Sequence, residues 1–202
     1  MFRSMLPLAS SFIILALAAS CTEPEVEYDD RESQREPEDF QTVKLEEADR
    51  AIAVLHPTVH GTPALRGTVE FTRTGDGVRV VAHVEGLPPG SVHAIHIHEY
   101  GDCSAPDAMS AGEHYNPEGH PHALPTQPRR HAGDLGNLEA DDQGKAHLDM
   151  TVDNLSIAGE KSPILGRAVI IHSERDKGTQ PSGDAGSRMA CGVIGIPGPE
   201  SP

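Results

Sequence analysis

The chain has 202 residues, a formal net charge of -15, 3% aromatic residues and no tryptophan. That length suggests one domain with additional segments, and the sparse aromatics leave Val, Ile, Leu and Ala to build the core. The acidic balance argues against nucleic acid as a partner, because binding a phosphate backbone requires a basic surface.

Residues 1–20 read as an export signal: Arg3, the apolar run Phe12-Ile13-Ile14-Leu15-Ala16-Leu17, then the small residues Ala18, Ala19 and Ser20. The run is too short to cross a bilayer, which takes about 20 apolar residues. The sequence L-A-A-S-C resembles the lipobox of bacterial lipoproteins, with Cys21 as the lipidated residue and mature N-terminus. The alternative is an ordinary cleaved signal with Cys21 incidental. Either reading places the protein outside the cytoplasm, periplasmic or at the cell surface, and the first anchors it to a membrane through a lipid on Cys21.

Residues 21–49 follow. Between Thr22 and Glu47 lie eleven acidic and three basic residues, with Pro24 and Pro37 and no sustained periodicity. Such a stretch cannot bury enough apolar surface to order itself, and self-repulsion extends it as a tether.

From Arg50 the pattern becomes that of β-strands, and the domain is predicted over residues 50–197, with a short tail at 198–202. Ala51–Leu55 is apolar. Leu65, Gly67, Val69 and Phe71 alternate with polar residues, as do Val78, Val80, Ala82 and Val84, and Gly75-Asp76-Gly77 joins the two runs as a hairpin. Further strands are predicted at His93–His98, Lys145–Val152, Gly166–His172 and Arg188–Ile196. No amphipathic helix is predicted after the signal. Seven or eight short strands with Gly/Pro turns indicate an antiparallel sandwich or barrel.

Seven of the twelve histidines lie between His93 and Asp134, and neutral imidazole is the commonest metal ligand. Strand alternation puts His96 and His98 on one face, with Ile95, Ile97 and His93 on the other. His172 ends the apolar run from Ala168 and can reach the same point. In the loop, His114, His122, His131 and Asp134 make a three-histidine, one-carboxylate set suited to tetrahedral zinc. Pro117, Pro121, Pro125 and Pro128 keep that loop irregular, and a structureless stretch this long inside a domain is usually functional. Any one of these histidines, taken singly, serves equally well as a surface or hydrogen-bonded residue.

The segments H-A-I-H-I-H-E-Y-G-D-C, S-A-G-E-H-Y-N-P, H-A-G-D-L-G-N, V-I-I-H and G-D-A-G-S-R-M-A-C-G-V-I-G-I occur in that order. Together they resemble copper/zinc superoxide dismutase over about Ala51 to Ile196. The resemblance implies an eight-stranded antiparallel Greek-key β-barrel or sandwich, immunoglobulin-like, with a long metal-binding loop. It implies one copper and one zinc per subunit, with superoxide as substrate. Copper would take His96, His98, His114 and His172; zinc would take His114, His122, His131 and Asp134, so that His114 bridges. Cys103 and Cys191 match the family's disulfide, and Arg188 the arginine that guides superoxide. Asp176 matches the aspartate that links a copper ligand to a zinc ligand, and His93 a structural histidine.

His120 stands two residues before His122 and competes with it as a ligand; the family spacing of eight from the bridging histidine favours His122. The segment 173–187 is shorter than the charged loop of the animal enzymes, which leaves its steering role open. Tyr100-Gly101 and Gly192–Ile196 resemble segments at the dimer interface of the eukaryotic-type enzymes, a resemblance that suggests a homodimer. The competing reading is a non-catalytic metal-binding or metal-delivery module of the same fold.

Overall fold

The computed structural model describes residues 45–198. The predicted signal, Cys21, the tether up to residue 44 and residues 199–202 lie outside the described residues. Among the described residues there are eight strands: β1 (Arg50–Pro57), β2 (Arg66–Thr74), β3 (Gly77–Glu85), β4 (Val92–His98), β5 (Asp134–Glu139), β6 (Ala146–Val152), β7 (Ala168–His172) and β8 (Arg188–Gly195).

Alternating apolar residues commit each strand to one inward face. Val69 and Phe71 of β2, Val80 and Ala82 of β3, Ile95 and Ile97 of β4, Val169 and Ile171 of β7, and Ile194 of β8 meet in one core. Burying an aliphatic or aromatic side chain of this size is worth about 1.5–3 kcal/mol, so this shared face holds the fold together. The hairpin turn is where the sequence places it, with Thr74 paired to Gly77.

All the strand pairs are antiparallel, in the order β5-β4-β7-β8-β1-β2-β3-β6. Strand β8 joins the two halves by pairing with both β1 and β7. The ends of the order, β5 and β6, meet through a bridge between Ala140 and Ala146, so the sheet is a nearly closed barrel.

Two features differ from the sequence reading. Strand β5 was not among the named strands, because its buried leucines, Leu135 and Leu138, stand three apart and break the period of two. A bulge resolves this. The β4–β5 register shifts by one residue between Ala94 and His96, and Gly136 supplies the positive φ of 87° there. In addition, the last residues assigned to the tether are ordered. Leu45–Glu47 form a 3₁₀ turn, Ala48 is buried in the core, and Asp49 accepts a hydrogen bond from the Arg73 backbone at 2.7 Å.

A second, smaller apolar cluster lies on the other face of β7 and β8. There Ala168, Ile170 and Cys191 pack with Ala108 and Ala111 of the long loop. The Cys103–Cys191 disulfide, with Cα atoms 5.8 Å apart, fastens the loop at this point.

Candidate metal centre

Strand β4 supplies the first two imidazoles. His96 pairs with Ile170 and His98 with Ala168 of β7, on the face away from the main core. His172 lies one two-residue step beyond Ile170 on that face. His93 projects to the opposite side, where its Nδ1 donates to the His172 carbonyl at 2.8 Å and its Nε2 meets Ser91 Oγ at 2.6 Å. It supports the end of β7 and is absent from the ligand clusters.

The loop is sewn to the end of β4 by backbone bonds. Tyr115 N donates to Ile97 O at 2.8 Å, Ile97 N to Gly133 O at 2.9 Å, and Gly133 N to Tyr115 O at 2.9 Å. These contacts carry His114 beside His98, and Asp134 into β5 beside His96. Arg167 lies over the Tyr115 ring at 4.0 Å and pins the same turn.

Among the described residues, two buried four-residue groups able to hold a metal result, His96, His98, His114 and His172, and His114, His122, His131 and Asp134, and a three-residue group of His96, His122 and Asp176 lies between them. His114 belongs to both four-residue groups. In the second group, Asp134 Oδ1 lies 3.0 Å from His114 Nδ1, 3.0 Å from His122 Nδ1 and 3.3 Å from His131 Nδ1. The His114 and His131 Nδ1 atoms are 3.5 Å apart. Four ligands at zinc distances of 2.0–2.1 Å on a tetrahedron stand about 3.3 Å from one another, so the spacing fits. The buried His122 Nδ1 makes no hydrogen bond despite its closeness to Asp134, as expected when two lone pairs face a common centre.

The first group is built alike. His98 turns Nδ1 to the Gly112 carbonyl at 2.9 Å, and its Nε2 lies 3.3 Å from His172 Nε2. His96 has Nε2 on Asp176, which leaves its buried Nδ1 without a hydrogen-bond partner. Imidazole-only sets suit copper as well as zinc.

Asp176 joins the groups from behind. Its Oδ2 accepts from His96 Nε2 at 3.0 Å and its Oδ1 from His122 Nε2 at 2.9 Å, so both rings turn Nδ1 inward. Gly183, at φ 81°, passes so close to Asp176 and His122 that a Cβ would collide with both side chains. His120 faces elsewhere, towards Glu118 Oε2 and the Arg130 carbonyl, each at 3.3 Å. Of the two histidines, only His122 lies in the second group.

The electrostatics match this wiring. Burial lowers His96 to about 4 and holds His98 and His172 well below the ordinary imidazole value, so all three are neutral donors at pH 7. For His122, burial pulls downward, but the adjoining carboxylates of Asp134 and Asp176 outweigh it and raise the ring to about 9. Against the opposing effect of burial, those histidine contacts hold both carboxyls well below their usual range.

A cleft of about 340 Å³ opens onto His98, His114 and His172, with Arg188 on its wall. The β7–β8 register shifts by one between Ile171 and His172, and this bulge puts Met189 in the core while Arg188 lies on the Cys191 face. Its Nη1 and Nη2 each donate at 2.7 Å, to the Ala108 and Gly112 carbonyls. Thr58 Oγ1 donates to its backbone carbonyl at 2.5 Å. Burial lowers the Arg188 pKa, while Glu113 and Asp107 act to raise it. The two cations of the 173–187 segment have acidic neighbours: Arg175 lies 4.0 Å from Glu139 and Lys177 lies 3.9 Å from Asp184.

The sequence reading missed two clamps. Asn137 exchanges hydrogen bonds with the Asp176 backbone at 2.7 and 3.1 Å, and Gln180 does so with the His122 backbone at 2.6 and 3.2 Å. Asn137 ends the H-A-G-D-L-G-N segment, but it carries no signal of this role by itself. Glu113 and Asp107, which line the cleft, were also not singled out.

The described residues thus form a nearly closed antiparallel barrel with two buried histidine-rich groups that share His114 and could each hold a metal ion. Residues 65–194 match the family described as copper/zinc superoxide dismutase (SODC), and the chain belongs to that family. It is also similar to a solved structure described as a crystal structure analysis of the clock protein EA4. The identity is 39% and the TM-score 0.67, covering 78% of this chain and 99% of that one.

Proposed function

We propose that the protein dismutates superoxide to dioxygen and hydrogen peroxide, with copper held by His96, His98, His114 and His172. Zinc is held by His114, His122, His131 and Asp134. The observation that carries this reading is the buried four-histidine group opening on a cleft with a fixed arginine. Copper, when bound there, supplies the one-electron chemistry that oxidises one superoxide to dioxygen and reduces a second, with two protons, to hydrogen peroxide.

The chain's residues supply the rest. Arg188 is held rigidly by two carbonyls and keeps a positive charge where a small anion enters, a role suited to a planar guanidinium. His114 turns Nδ1 to Asp134, which leaves Nε2 for the four-histidine group, where it would hold copper or, when free of the ion, carry a proton for the substrate. Asp176 and the Asn137 and Gln180 clamps hold the surrounding rings in orientation.

The competing reading is a metal-binding module without turnover. It is favoured by the neighbour described as a clock protein, which shares 39% identity. Superoxide decay with the fully metal-loaded protein separates the two. Rapid second-order dismutation supports the enzyme, and its absence with copper bound supports the module.

We also propose export, with lipidation of Cys21 and attachment to a membrane. Mass spectrometry of the mature N-terminus tests this: a diacylglyceryl-modified Cys21 is expected, an unmodified terminus after cleavage overturns the lipid anchor, and an uncleaved chain overturns export as well.

A further inference from the structure

Away from the buried centre, on the β1–β2–β3–β6 side of the barrel, two exposed histidines face each other. His83 of β3 and His147 of β6 are direct cross-strand partners. Their Nδ1 atoms are 3.3 Å apart, and the ring centroids 4.5 Å apart with 30° between planes. We propose that this pair is a surface site for a transition-metal ion, held by both Nδ1 atoms, with water completing its coordination.

The backbone makes the pair a chelate. Directly opposed residues of an antiparallel ladder hold their Cβ atoms about 4.5–5.5 Å apart, so neither ring must be brought from a distance. Two nitrogens at metal distances of 2.0–2.1 Å stand about 3.3 Å apart in a tetrahedral arrangement, which is the spacing seen. Each neutral ring offers one lone pair, and a cation between them satisfies both, whereas a hydrogen bond between rings uses the proton of one.

The surroundings hold the strands in register. On one side Arg79 Nε and Nη2 donate to the two carboxylate oxygens of Asp149 at 2.8 and 2.6 Å. On the other, Glu85 lies 2.7 Å from Arg66 and 3.8 Å from Lys145. Asp149 is two residues from His147 on the same strand face and couples to it electrostatically. Imidazole donors select first-row transition metals over calcium or magnesium, and the affinity order peaks at Cu(II).

The test uses metal-loaded protein freed of excess ion and then titrated calorimetrically with Cu(II). One further equivalent is expected to bind with micromolar affinity and to broaden the His83 and His147 ring signals by NMR. His83→Ala and His147→Ala should each weaken that event by more than about tenfold, because each removes the chelate. The double variant should be no weaker than either single one, and His56→Ala, another exposed histidine, should change nothing. Failure of wild type to take the further equivalent overturns the proposal. So does unchanged affinity in the single variants, or additive losses that indicate two independent imidazoles.

Discussion

Asp176 holds His122 by its outer nitrogen: Oδ1 accepts from His122 Nε2 at 2.9 Å, which leaves Nδ1 facing Asp134 3.0 Å away. The same carboxylate orients His96 through Oδ2. One side chain therefore sets ring direction in both metal groups.

Asp176→Asn removes the charge and leaves one acceptor oxygen for two ring N–H groups. Loss of such an outer partner typically costs about 10- to 100-fold in metal affinity. The loss should be larger for zinc, because His122 also depends on Asp176 for its raised basicity. Metal content after chelator competition measures both.

His122→Ala should lower zinc affinity far more than His120→Ala, since only the His122 ring enters the second group. Equal losses would mean that the loop rearranges around the ion.

Arg188→Ala should reduce kcat/KM for superoxide by about 10- to 100-fold while metal content stays constant, the scale of one charge acting over several ångströms at intermediate dielectric. Glu113→Gln should act in the opposite direction. It removes a negative charge from the wall of the same cleft, so the rate should rise, most clearly at low ionic strength. Stopped-flow superoxide decay across a salt series reads both effects.

The disulfide spans 88 residues. In the chain-entropy account a closed loop of that length is worth about 4.6 kcal/mol. Cys191→Ser should lower the denaturant midpoint accordingly. It should also slow catalysis, because Ala108 and Gly112, which hold Arg188, lie on the loop that the bond fastens. Reduced activity at full metal content and at a temperature well below Tm distinguishes the positional effect from unfolding.

In the metal-free protein His122 is raised to about 9, above the ordinary imidazole value of about 6.5. Its proton-dependent contribution to stability is thus present below about 6.5 and is lost as pH rises through about 9. Zinc must displace that proton, so apparent zinc affinity should increase between those limits, with about one proton released per ion. Chelator competition at several pH values checks the slope, and calorimetry in buffers of different ionisation enthalpy counts the proton.

Much of this protein was legible in its residues because the signals are local. Period-two alternation marked β2, β3 and β4 and put His96 and His98 on one face, while Gly75-Asp76-Gly77 marked the turn. Histidine density pointed to groups that could hold a metal, and motif order pointed to the family. Chain folding alone decided what depends on partners distant in sequence. The Gly136 bulge makes Leu135 and Leu138 both inward, and the β7–β8 bulge places Arg188 on the Cys191 face. Asp176 selects the His122 ring, 54 residues away, while Glu118 and Arg130 occupy His120. His83 and His147 are 64 residues apart, and only the β3–β6 register brings them together. Alternation is a property of one strand; bulges, register and ring orientation belong to the contacts between strands and loops.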